Sequence, residues 1–515
     1  MPDALHGTFT ADGMSWTDAS LWAQFNALHA SAPQALALLD AAERHWSRDE
    51  IHQLAKSAAQ TLLQHGIEHA DRVLLEGRKS APTLAVALAI SSLGAIICPF
   101  APDLGQAERQ VLEDRLGHVA LISRSVGQST TMDDLPGLPG MRLALRQRPD
   151  SWQRDPRDAQ TALIGFTSGT TGVPKGVMHS SAAMNYTVRA CAHVAGLEAG
   201  DAILGVVPLG SAPGFTFTAH CSLALGHPLI IVDPWDPLRA LSLMAKYACR
   251  WGICVPTHLL AMIETAKSGQ WSRHIPLKAL GVGGSAMTSQ MVADAAELLG
   301  IPVLRMFGMS ECMGHASTRL GDDLETRLHS DGTPFPGTQD EAFDASNHVL
   351  PRGQRGQAGV RGPSLFTGYC QGMGDEHFQL TDDGYFLTGD EIICTDGGAL
   401  KVVGRIKDQI IRGGYNIDPA EVEAALLRHP AIAEIAVVAV PEPKLGEQAC
   451  AVYCIRDGHE PLVLSDIKEH LTVIGLTKKK WPEHLLKVDG MQYTATGKID
   501  KKRMAKQAVS ALGLG

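Results

Sequence analysis

The sequence is poor in aromatic and charged residues, and it has no closely paired cysteines. Aromatic residues make up 5% and charged residues 19% of its 515 residues, and its formal net charge is −10. A nucleic-acid-binding protein that relies on a broad basic surface would carry the opposite charge. The ten cysteines include no Cys-x-x-Cys pair, which excludes the ligand spacing of most zinc and redox sites. With no secretory start, this cysteine usage predicts reduced thiols and a cytoplasmic location.

One long uncharged run, residues 83–102, bears on whether the chain crosses a membrane. It carries no Asp, Glu, Lys or Arg and has about the length of a membrane span. Two adjacent serines, a glycine and two prolines interrupt it. We therefore expect a helix followed by a strand in a buried α/β core, and no membrane span.

Helical and strand-like segments alternate along most of the chain. From Asp49 to Phe100 the pattern is helix, strand, helix, strand, and it resumes after residue 180. This alternation predicts an α/β fold in which helices cover a parallel sheet. Between Gly356 and Asp390, short strands and turns predict a small β-subdomain. At Asp418, an acidic N-cap followed by proline predicts the start of a helix. This helix belongs to a compact α+β unit of about 110 residues that ends the chain.

A loop rich in glycine and hydroxyl groups, residues 167–180 (TSGTTGVPKGVMHS), follows a short apolar strand at 161–166. Its glycines, including Gly176, permit positive φ and a close backbone approach, and its hydroxyls and lysine suit phosphate oxygens. It is neither a Walker A loop nor a Gly-x-Gly-x-x-Gly turn, and a plain surface loop is the alternative. The expected phosphate-binding residues are Thr167, Ser168, Gly169, Thr170, Thr171, Gly172 and Lys175.

This loop resembles the phosphate-binding signature of the adenylate-forming superfamily, which includes acyl-CoA synthetases, peptide-synthetase adenylation domains and luciferases. Similar elements follow in order from about residue 73 to 500. The resemblance implies a large N-terminal adenylation domain, 1–406, with parallel-rich α/β subdomains and the small β-subdomain. It also implies a mobile C-terminal α+β domain, 407–515, that carries a catalytic lysine and a thiol-binding loop. ATP, Mg²⁺ and CoA would be the cofactor and substrates.

Two glycine-containing elements would bind the nucleotide and its metal ion. Residues 307–311 (FGMSE) resemble the family's aromatic-Gly-x-Thr-Glu element, which implies that Ser310 contacts the α-phosphate and Glu311 carries Mg²⁺. A carboxylate suits this ion because Mg²⁺ is hard and prefers oxygen ligands. Residues 283–285 resemble the loop that lies along the adenine. The nucleotide-binding residues implied here are Gly283, Gly284, Ser285, Met306, Phe307 and Gly308.

Two further elements would bind the ribose and form the hinge. Residues 385–390 (YFLTGD) resemble the Thr-Gly-Asp element, in which Asp390 would accept hydrogen bonds from both ribose hydroxyls. Residues 404–408 (GRIKD) resemble the hinge element, with Arg405 near the ribose and Lys407 as the pivot. For Asp390, a simple turn residue after a glycine is the alternative.

Residues 494–499 (TATGKI) resemble the family's Thr-x-x-Gly-Lys ending. By that likeness Lys498 would enter the cleft when a carboxylate attacks the α-phosphate of ATP. Two anions must then meet, and a lysine can neutralise the charge that builds up on the bridging oxygens. A solvated surface lysine is the alternative for this Lys-rich stretch. The implied catalytic residues are Lys498, Glu311, Ser310 and Lys175.

The thiol and the acid would bind elsewhere in the chain. Gly413, Gly414 and Tyr415 would lie beside a pantetheine thiol. Three segments that carry no charged residue apart from Glu311 would line the acid pocket, which implies an apolar acyl group. The pocket residues are Ser211, Phe215, Gly281, Met309 and Gly314. Residues 492–493 depart from the usual Pro-Arg pair. Ser211 stands where many members have a gating histidine, so how the acid enters, and the shape of its pocket, are left open.

The resemblance therefore implies an AMP-forming acyl-CoA synthetase. Residues 481–484 (WPEH) resemble ligases of cyclohexanecarboxylate or medium-chain acids. A stand-alone aryl- or acyl-acid adenylating enzyme that loads a carrier protein is the alternative, since it shares every motif above. A regulatory homologue would be expected to lose Lys498, Glu311 or Asp390, and all three are present. The oligomeric state is left open, with a homodimer as one option, and no nucleic-acid partner is expected.

Overall fold

The chain packs as two compact units in a computed structural model. The first unit comprises Met1–Gln339 and Val360–Phe386, and the second comprises Asp340–Gly359 and Leu387–Gly515. The structure describes residues 7–124, 133–146, 154–167, 174–285, 287–374, 378–412, 415–444, 446–494 and 497–514.

The strands and helices are numbered along the chain. The strands are β1 (Thr8–Ala11), β2 (Met14–Thr17), β3 (Leu36–Leu39), β4 (His45–Ser47), β5 (Arg72–Glu76), β6 (Ile96–Phe100), β7 (Ala120–Ser123), β8 (Asp133–Asp134), β9 (Arg142–Leu145), β10 (Leu163–Thr167), β11 (Lys175–His179), β12 (Ile203–Gly205), β13 (Leu229–Ile231), β14 (Trp251–Cys254), β15 (Ala279–Gly283), β16 (Val303–Met309), β17 (Cys312–Ser317), β18 (Thr333–Pro334), β19 (Gln339–Phe343), β20 (Arg355–Arg361), β21 (Gly368–Tyr369), β22 (Phe386–Cys394), β23 (Leu400–Arg405), β24 (Ile410–Arg412), β25 (Tyr415–Ile417), β26 (Ile432–Glu442), β27 (Gly446–Ile455) and β28 (His484–Lys487). The helices are α1 (Leu21–Ser31), α2 (Arg48–Gln64), α3 (Ala81–Ser92), α4 (Gln106–Arg115), α5 (Ser181–Val194), α6 (Ala212–Gly214), α7 (Cys221–Leu225), α8 (Pro237–Lys246), α9 (Pro256–Lys267), α10 (Ser289–Asp294), α11 (Leu324–His329), α12 (Pro419–Leu426), α13 (Leu464–Ile474) and α14 (Lys501–Leu512).

An eight-stranded sheet in the first unit has the order β21-β11-β10-β6-β5-β7-β9-β8. Its central strands β5, β6 and β7 run parallel, and every residue of β5 and β6 is buried. Strands buried on both faces need continuous apolar sequence, and helices must cover them. The uncharged run at 83–102 supplies most of α3 and all of β6, so the expected helix and strand are confirmed. Among the described residues, no helix is long and apolar enough to cross a membrane.

A nine-stranded sheet in the same unit has the order β18-β17-β16-β15-β14-β12-β13-β3-β4. Six neighbouring strands, from β16 to β3 in this order, are parallel. Their carboxyl ends therefore lie at the same edge of the sheet, which is where ligands bind in open α/β folds. The N-terminal stretch before Asp49 contributes β3 and β4 to this sheet.

The second unit contains two sheets. One has the order β19-β20-β22-β23, and the other contains β25, β24, β27 and β26 in that order, with β28 paired to β27. The predicted helix begins as expected, because Asp418 caps α12 by accepting a hydrogen bond from the Ala420 N–H at 3.0 Å. The final helix α14 was not predicted, although Met504 and Ala508 are buried at helical spacing.

The ten cysteines are all free and buried. Cys450 and Cys454 lie on the same face of β27 and belong to one apolar cluster, so their spacing reflects packing. Burial raises the pKa of the Cys450 thiol to about 12, which keeps it protonated and unreactive near neutral pH. The prediction of reduced thiols is consistent with this arrangement.

Candidate active site

The predicted phosphate-binding loop joins two strands that form an antiparallel hairpin. β10 ends at Thr167 and β11 begins at Lys175, and these two residues face each other in the register. Both are interior strands of the eight-stranded sheet, so the two ends of the loop are fixed by strand pairing. The predicted phosphate ligands Ser168, Gly169, Thr170, Thr171 and Gly172 lie outside the described residues.

Gly176 has a different role from the one expected. Its φ is not positive, because it lies inside β11 and pairs with Phe166. A Cβ at this position would lie 2.8 Å from the Sγ of Cys370, on the segment that covers β11. Glycine is needed here for close packing between strands, whereas the sequence suggested conformational freedom.

Lys175 lies against an aromatic ring. Its Nζ is 4.7 Å from the centroid of the Tyr369 ring, within the range of a cation–π interaction. Tyr369 ends β21, which pairs with β11 through Val177. The ammonium group of the loop lysine is therefore held next to a residue that the sequence analysis did not single out.

Ser310 and Glu311 form the two-residue turn between the antiparallel strands β16 and β17. Main-chain hydrogen bonds fix both residues of the turn. The Nε2–H of His179 donates to the Ser310 carbonyl at 2.7 Å, and the Phe366 N–H donates to the Glu311 carbonyl at 2.8 Å. Burial lowers the pKa of His179 to about 4, so this imidazole is neutral at physiological pH. The turn is thus held rigidly from two sides.

The Glu311 carboxylate is buried, with 7% of the residue exposed. Its Oε1 accepts a hydrogen bond from the Tyr369 hydroxyl at 2.8 Å, and its Oε2 receives none from the residues that the structure describes. A buried carboxylate with one oxygen left for a cation fits Mg²⁺. The described residues contain no cluster of three or more His, Cys, Asp or Glu side chains that could hold a metal. Mg²⁺ usually takes only one or two protein carboxylates and completes its coordination with phosphates and water.

The predicted adenine loop follows β15 directly. Gly283 is the last residue of β15 and pairs with Met306 of β16, so these two predicted nucleotide-binding elements are neighbours. Gly284 has a φ of +87°, a left-handed conformation that favours glycine. Ser285 follows in a bend, and the Phe307 ring lies 4.6 Å from the His315 ring. Gly308 lies in β16 as well.

The predicted acid-pocket residues lie in the first unit. Gly281, Met309 and Gly314 belong to the adjacent strands β15, β16 and β17. Trp251 and Met306 fill the space beside Gly281, where a Cβ would lie 2.6 Å from the indole and 2.5 Å from the thioether sulfur. Large side chains therefore limit the space in this part of the predicted pocket.

Ser211 and Phe215 lie at the start of a short helical segment. The Ser211 hydroxyl caps α6 by accepting a hydrogen bond from the Gly214 N–H at 3.1 Å. This serine therefore has a structural role at the position where a gating histidine was expected from the resemblance. Phe215 is almost fully buried, with 1% exposed.

In the second unit, the two predicted ribose-binding residues contact each other. Asp390 of β22 and Arg405 of β23 face each other in the register, and the Arg405 Nε–H donates to Asp390 Oδ1 at 2.6 Å. Asp390 lies within the strand, not in a turn, and is 3% exposed. The arginine side chain is 55% exposed.

The hinge and thiol elements are described in part. The backbone of Lys407 lies in a short 3₁₀ turn, Ile406–Asp408, and its side chain lies outside the described residues, as do Gly413 and Gly414. Tyr415 begins β25, with the Lys479 Nζ 5.7 Å from its ring centroid.

Lys498 lies at the end of a tight turn. The Thr494 N–H donates to the Lys498 carbonyl at 2.7 Å, and the Gly497 N–H donates to the Thr494 carbonyl at 2.9 Å. Gly497 has a φ of +80°, which this turn requires. These two hydrogen bonds fix the backbone position of Lys498 relative to Thr494.

Tyr369 and His179 are the residues near this site that sequence reasoning missed. Their partners Glu311 and Ser310 are far away along the chain. His179 lies within the quoted stretch 167–180 but was given no role there, and no quoted motif includes Tyr369. The pairing of β21 with β11 places Tyr369 near Lys175, but this contact between distant segments cannot be read from the local sequence.

Two family models match the chain. One, described as AMP-binding enzyme, matches residues 25–370, and the other, described as AMP-binding enzyme C-terminal domain, matches residues 421–498. The chain belongs to the AMP-binding, adenylate-forming enzymes. It is therefore an adenylate-forming ligase, as the sequence predicted.

Relatives of this AMP-binding enzyme span nearly its whole length. It is 27% identical to the medium-chain fatty-acid–CoA ligase of Escherichia coli (strain K12) over 521 residues, which cover 96% of this chain and 92% of that protein. It is 32% identical over 407 residues to the salicylyl-CoA synthase / salicylate adenylyltransferase of Streptomyces sp, with 77% and 72% covered. A structure of o-succinylbenzoate CoA synthetase from Bacillus subtilis with its acyl-adenylate intermediate matches with a TM-score of 0.80 at 23% identity and covers 94% of this chain and 98% of that one. This likeness confirms the predicted fold class.

Asp390→Ala should weaken ATP binding by at least about 100-fold, because it removes two expected hydrogen bonds from the ribose and each bond to a charged group is worth about 1.5–3 kcal/mol. Asp396→Ala is the matched control, since Asp396 is exposed in the turn of the same hairpin. Titration calorimetry with ATP measures both variants. Equal affinities for the Asp390 variant, the control and the unchanged protein would remove Asp390 from the nucleotide site.

Proposed function

We propose that this AMP-binding enzyme is an AMP-forming acyl-CoA synthetase. It would activate a carboxylic acid with MgATP to give acyl-AMP and pyrophosphate, and then transfer the acyl group to CoA to give acyl-CoA and AMP. The observation that carries the proposal is the buried Glu311 carboxylate, which is held in a rigid turn next to Ser310 and keeps one oxygen for a cation. A relative named as a CoA ligase that covers 96% of the chain supports it.

In the first half-reaction, a carboxylate oxygen attacks the α-phosphorus. The bond between the α-phosphorus and the oxygen that bridges to the β-phosphate breaks, and pyrophosphate leaves with the electron pair. Bound Mg²⁺ would neutralise phosphate charge at this step. Glu311 would hold that ion, Ser310 would contact the α-phosphate, and Lys175 and the loop hydroxyls would hold the other phosphates. Asp390 and Arg405 would hold the ribose. Lys498 would supply the positive charge that lets two anions approach.

In the second half-reaction, the CoA thiol gives its proton to water and the sulfur attacks the acyl carbon. The bond from that carbon to the bridging oxygen breaks, and AMP leaves with this oxygen and the electron pair. We propose that the C-terminal part, 407–515, turns about Lys407 between the two steps. Lys498 would then leave the cleft, and Gly413, Gly414 and Tyr415 would lie beside the pantetheine arm. Using one domain for two sites keeps the reactive mixed anhydride away from water.

An apolar acyl group fits the predicted pocket best. The segments at 210–217, 281–287 and 306–314 carry no Lys, Arg or Asp and only one Glu, which is assigned to the metal. Trp251 and Met306 add large apolar surface beside Gly281. A cyclic, aromatic or medium-chain acid satisfies these conditions.

The second candidate is an aryl- or acyl-acid adenylating enzyme that loads the phosphopantetheine of a carrier protein. A relative named both as a salicylyl-CoA synthase and as a salicylate adenylyltransferase supports this candidate. Both candidates would work in a reducing, cytoplasmic compartment, in keeping with ten free and buried cysteines.

An assay of a panel of acids with MgATP, run with and without CoA, separates the two candidates. We expect pyrophosphate release and acyl-CoA, identified by mass, from one or a few apolar acids. Acid-dependent pyrophosphate exchange without acyl-CoA would instead favour a carrier protein as the acceptor. Absence of acid-dependent pyrophosphate exchange across the panel would contradict adenylation of these acids.

Lys498→Ala should slow acyl-AMP formation by about 100- to 1,000-fold, because it removes a charge that acts on the transition state. It should largely spare thioester formation from supplied acyl-AMP, since that step would use the other orientation. Lys506→Ala, at an exposed position of α14, is the control and should change neither rate. Quenched-flow measurement of the two half-reactions gives both rates, and equal losses in both would contradict the proposed alternation.

A further inference from the structure

We propose that Tyr369 is a positioning residue, which orients the Glu311 carboxylate for the metal ion and holds the Lys175 ammonium on its ring. The proposal rests on the proposed function, in which Glu311 binds Mg²⁺ and Lys175 binds phosphate. Neither the family motifs quoted above nor the spacing of charged residues includes this tyrosine.

The hydroxyl of Tyr369 determines which way the carboxylate faces. It donates to Oε1 of Glu311 at 2.8 Å, and both residues are buried, with 2% and 7% exposed. A hydrogen bond between buried groups, one of them charged, restricts the carboxylate to one rotamer. With Oε1 held in this way, Oε2 is the oxygen left for a cation, because it receives no hydrogen bond among the described residues.

The ring of Tyr369 contacts the loop lysine at the same time. The Lys175 Nζ lies 4.7 Å from the ring centroid, at the position where β11 leaves the phosphate loop. One side chain thus contacts the base of the loop through its face and the turn of the β16–β17 hairpin through its hydroxyl. These two elements come from different sheets of the first unit.

The backbone holds Tyr369 in place independently of any ligand. β21 pairs with β11 by placing Tyr369 opposite Val177. The Cys370 N–H donates to the Gly176 carbonyl at 2.7 Å, and Arg157 donates to the Tyr369 carbonyl at 2.9 Å. The Phe366 ring packs edge-on against the Tyr369 ring at 4.8 Å. The side chain is therefore pre-positioned, as a residue that orients a metal ligand must be.

Residues that orient a metal ligand are expected to affect metal affinity without touching the metal. Their substitution typically lowers metal affinity by about 10- to 100-fold. Tyr369→Phe removes the hydroxyl and keeps the ring, so the contact with Lys175 should remain. The variant should therefore lose metal-dependent binding and keep metal-free binding of ATP.

The test compares ATP binding by calorimetry in Mg²⁺ and in EDTA. For Tyr369→Phe we expect the gain in ATP affinity due to Mg²⁺ to fall by about 10-fold, with metal-free affinity unchanged. The control is Tyr186→Phe, which removes a buried hydroxyl that donates to the Pro336 carbonyl at 2.7 Å in the same unit. It should leave the Mg²⁺ effect intact. An unchanged Mg²⁺ effect in Tyr369→Phe, or an equal loss with and without metal, would overturn the proposal.

Glu311→Gln separates this inference from the proposed function. If this variant keeps the full Mg²⁺ effect, the metal role of Glu311 fails and the inference fails with it. If Glu311→Gln loses the effect and Tyr369→Phe keeps it, only the role of Tyr369 fails. In the double variant, Tyr369→Phe should add no further loss to that of Glu311→Gln, and an added loss would contradict an action through Glu311.

The double variant also covers the case in which Tyr369→Phe does not fold, as judged by its thermal unfolding without ligands. A buried carboxylate that loses its donor is costly, and the neutral amide of Glu311→Gln removes that charge. Recovered thermal stability in the double variant would support an action of Tyr369 through Glu311. A failure to recover, or a loss of the Mg²⁺ effect beyond that of Glu311→Gln, would overturn the proposal.

Discussion

Main-chain hydrogen bonds from residues 366–370 connect the two halves of the candidate phosphate and metal site. The Phe366 N–H bonds to the carbonyl of Glu311, and the Thr367 and Cys370 N–H groups bond to the carbonyls of Met178 and Gly176. Because buried backbone groups must be paired, these hydrogen bonds fix the position of this short segment between β11 and the turn that carries Glu311. The strand that follows the phosphate loop and the turn that carries the carboxylate are therefore held by the same stretch of chain.

The chemistry explains why such rigidity is useful. A carboxylate and a triphosphate repel each other, and the transition state adds charge to the bridging oxygens. Positive groups help most when they are already in position, because they then cost no reorganisation during the reaction. The first unit carries Ser310, Glu311 and Lys175 on strand ends and turns, and the second unit carries Asp390 and Lys498.

Much of this could be predicted from the sequence, because the informative features are local. The strand before the phosphate loop, the uncharged run that becomes α3 and β6, and the Asp418 cap of α12 depend on patterns within a few residues. The features that were missed depend on distant contacts. Tyr369 is significant only because β21 pairs with β11, and Gly176 is required only because Cys370 lies against it.

Ser211 illustrates a different limit of the sequence. Its departure from the expected histidine was visible, but its role as the cap of α6 follows from the local backbone that forms after Pro208. A hydroxyl can cap a helix or contact a substrate, and residue type alone does not distinguish the two. The structure assigns the capping role to the Ser211 hydroxyl.

In the proposed reaction, the carboxylate of the substrate attacks the α-phosphate of ATP. Oxygen-18 in both carboxylate oxygens of an accepted acid tests it directly, with the nucleotide product analysed by mass. We expect AMP that carries one labelled oxygen, because the bridging oxygen stays with phosphorus when the thiol takes the acyl group. Unlabelled AMP, or ADP with label in inorganic phosphate, would contradict it.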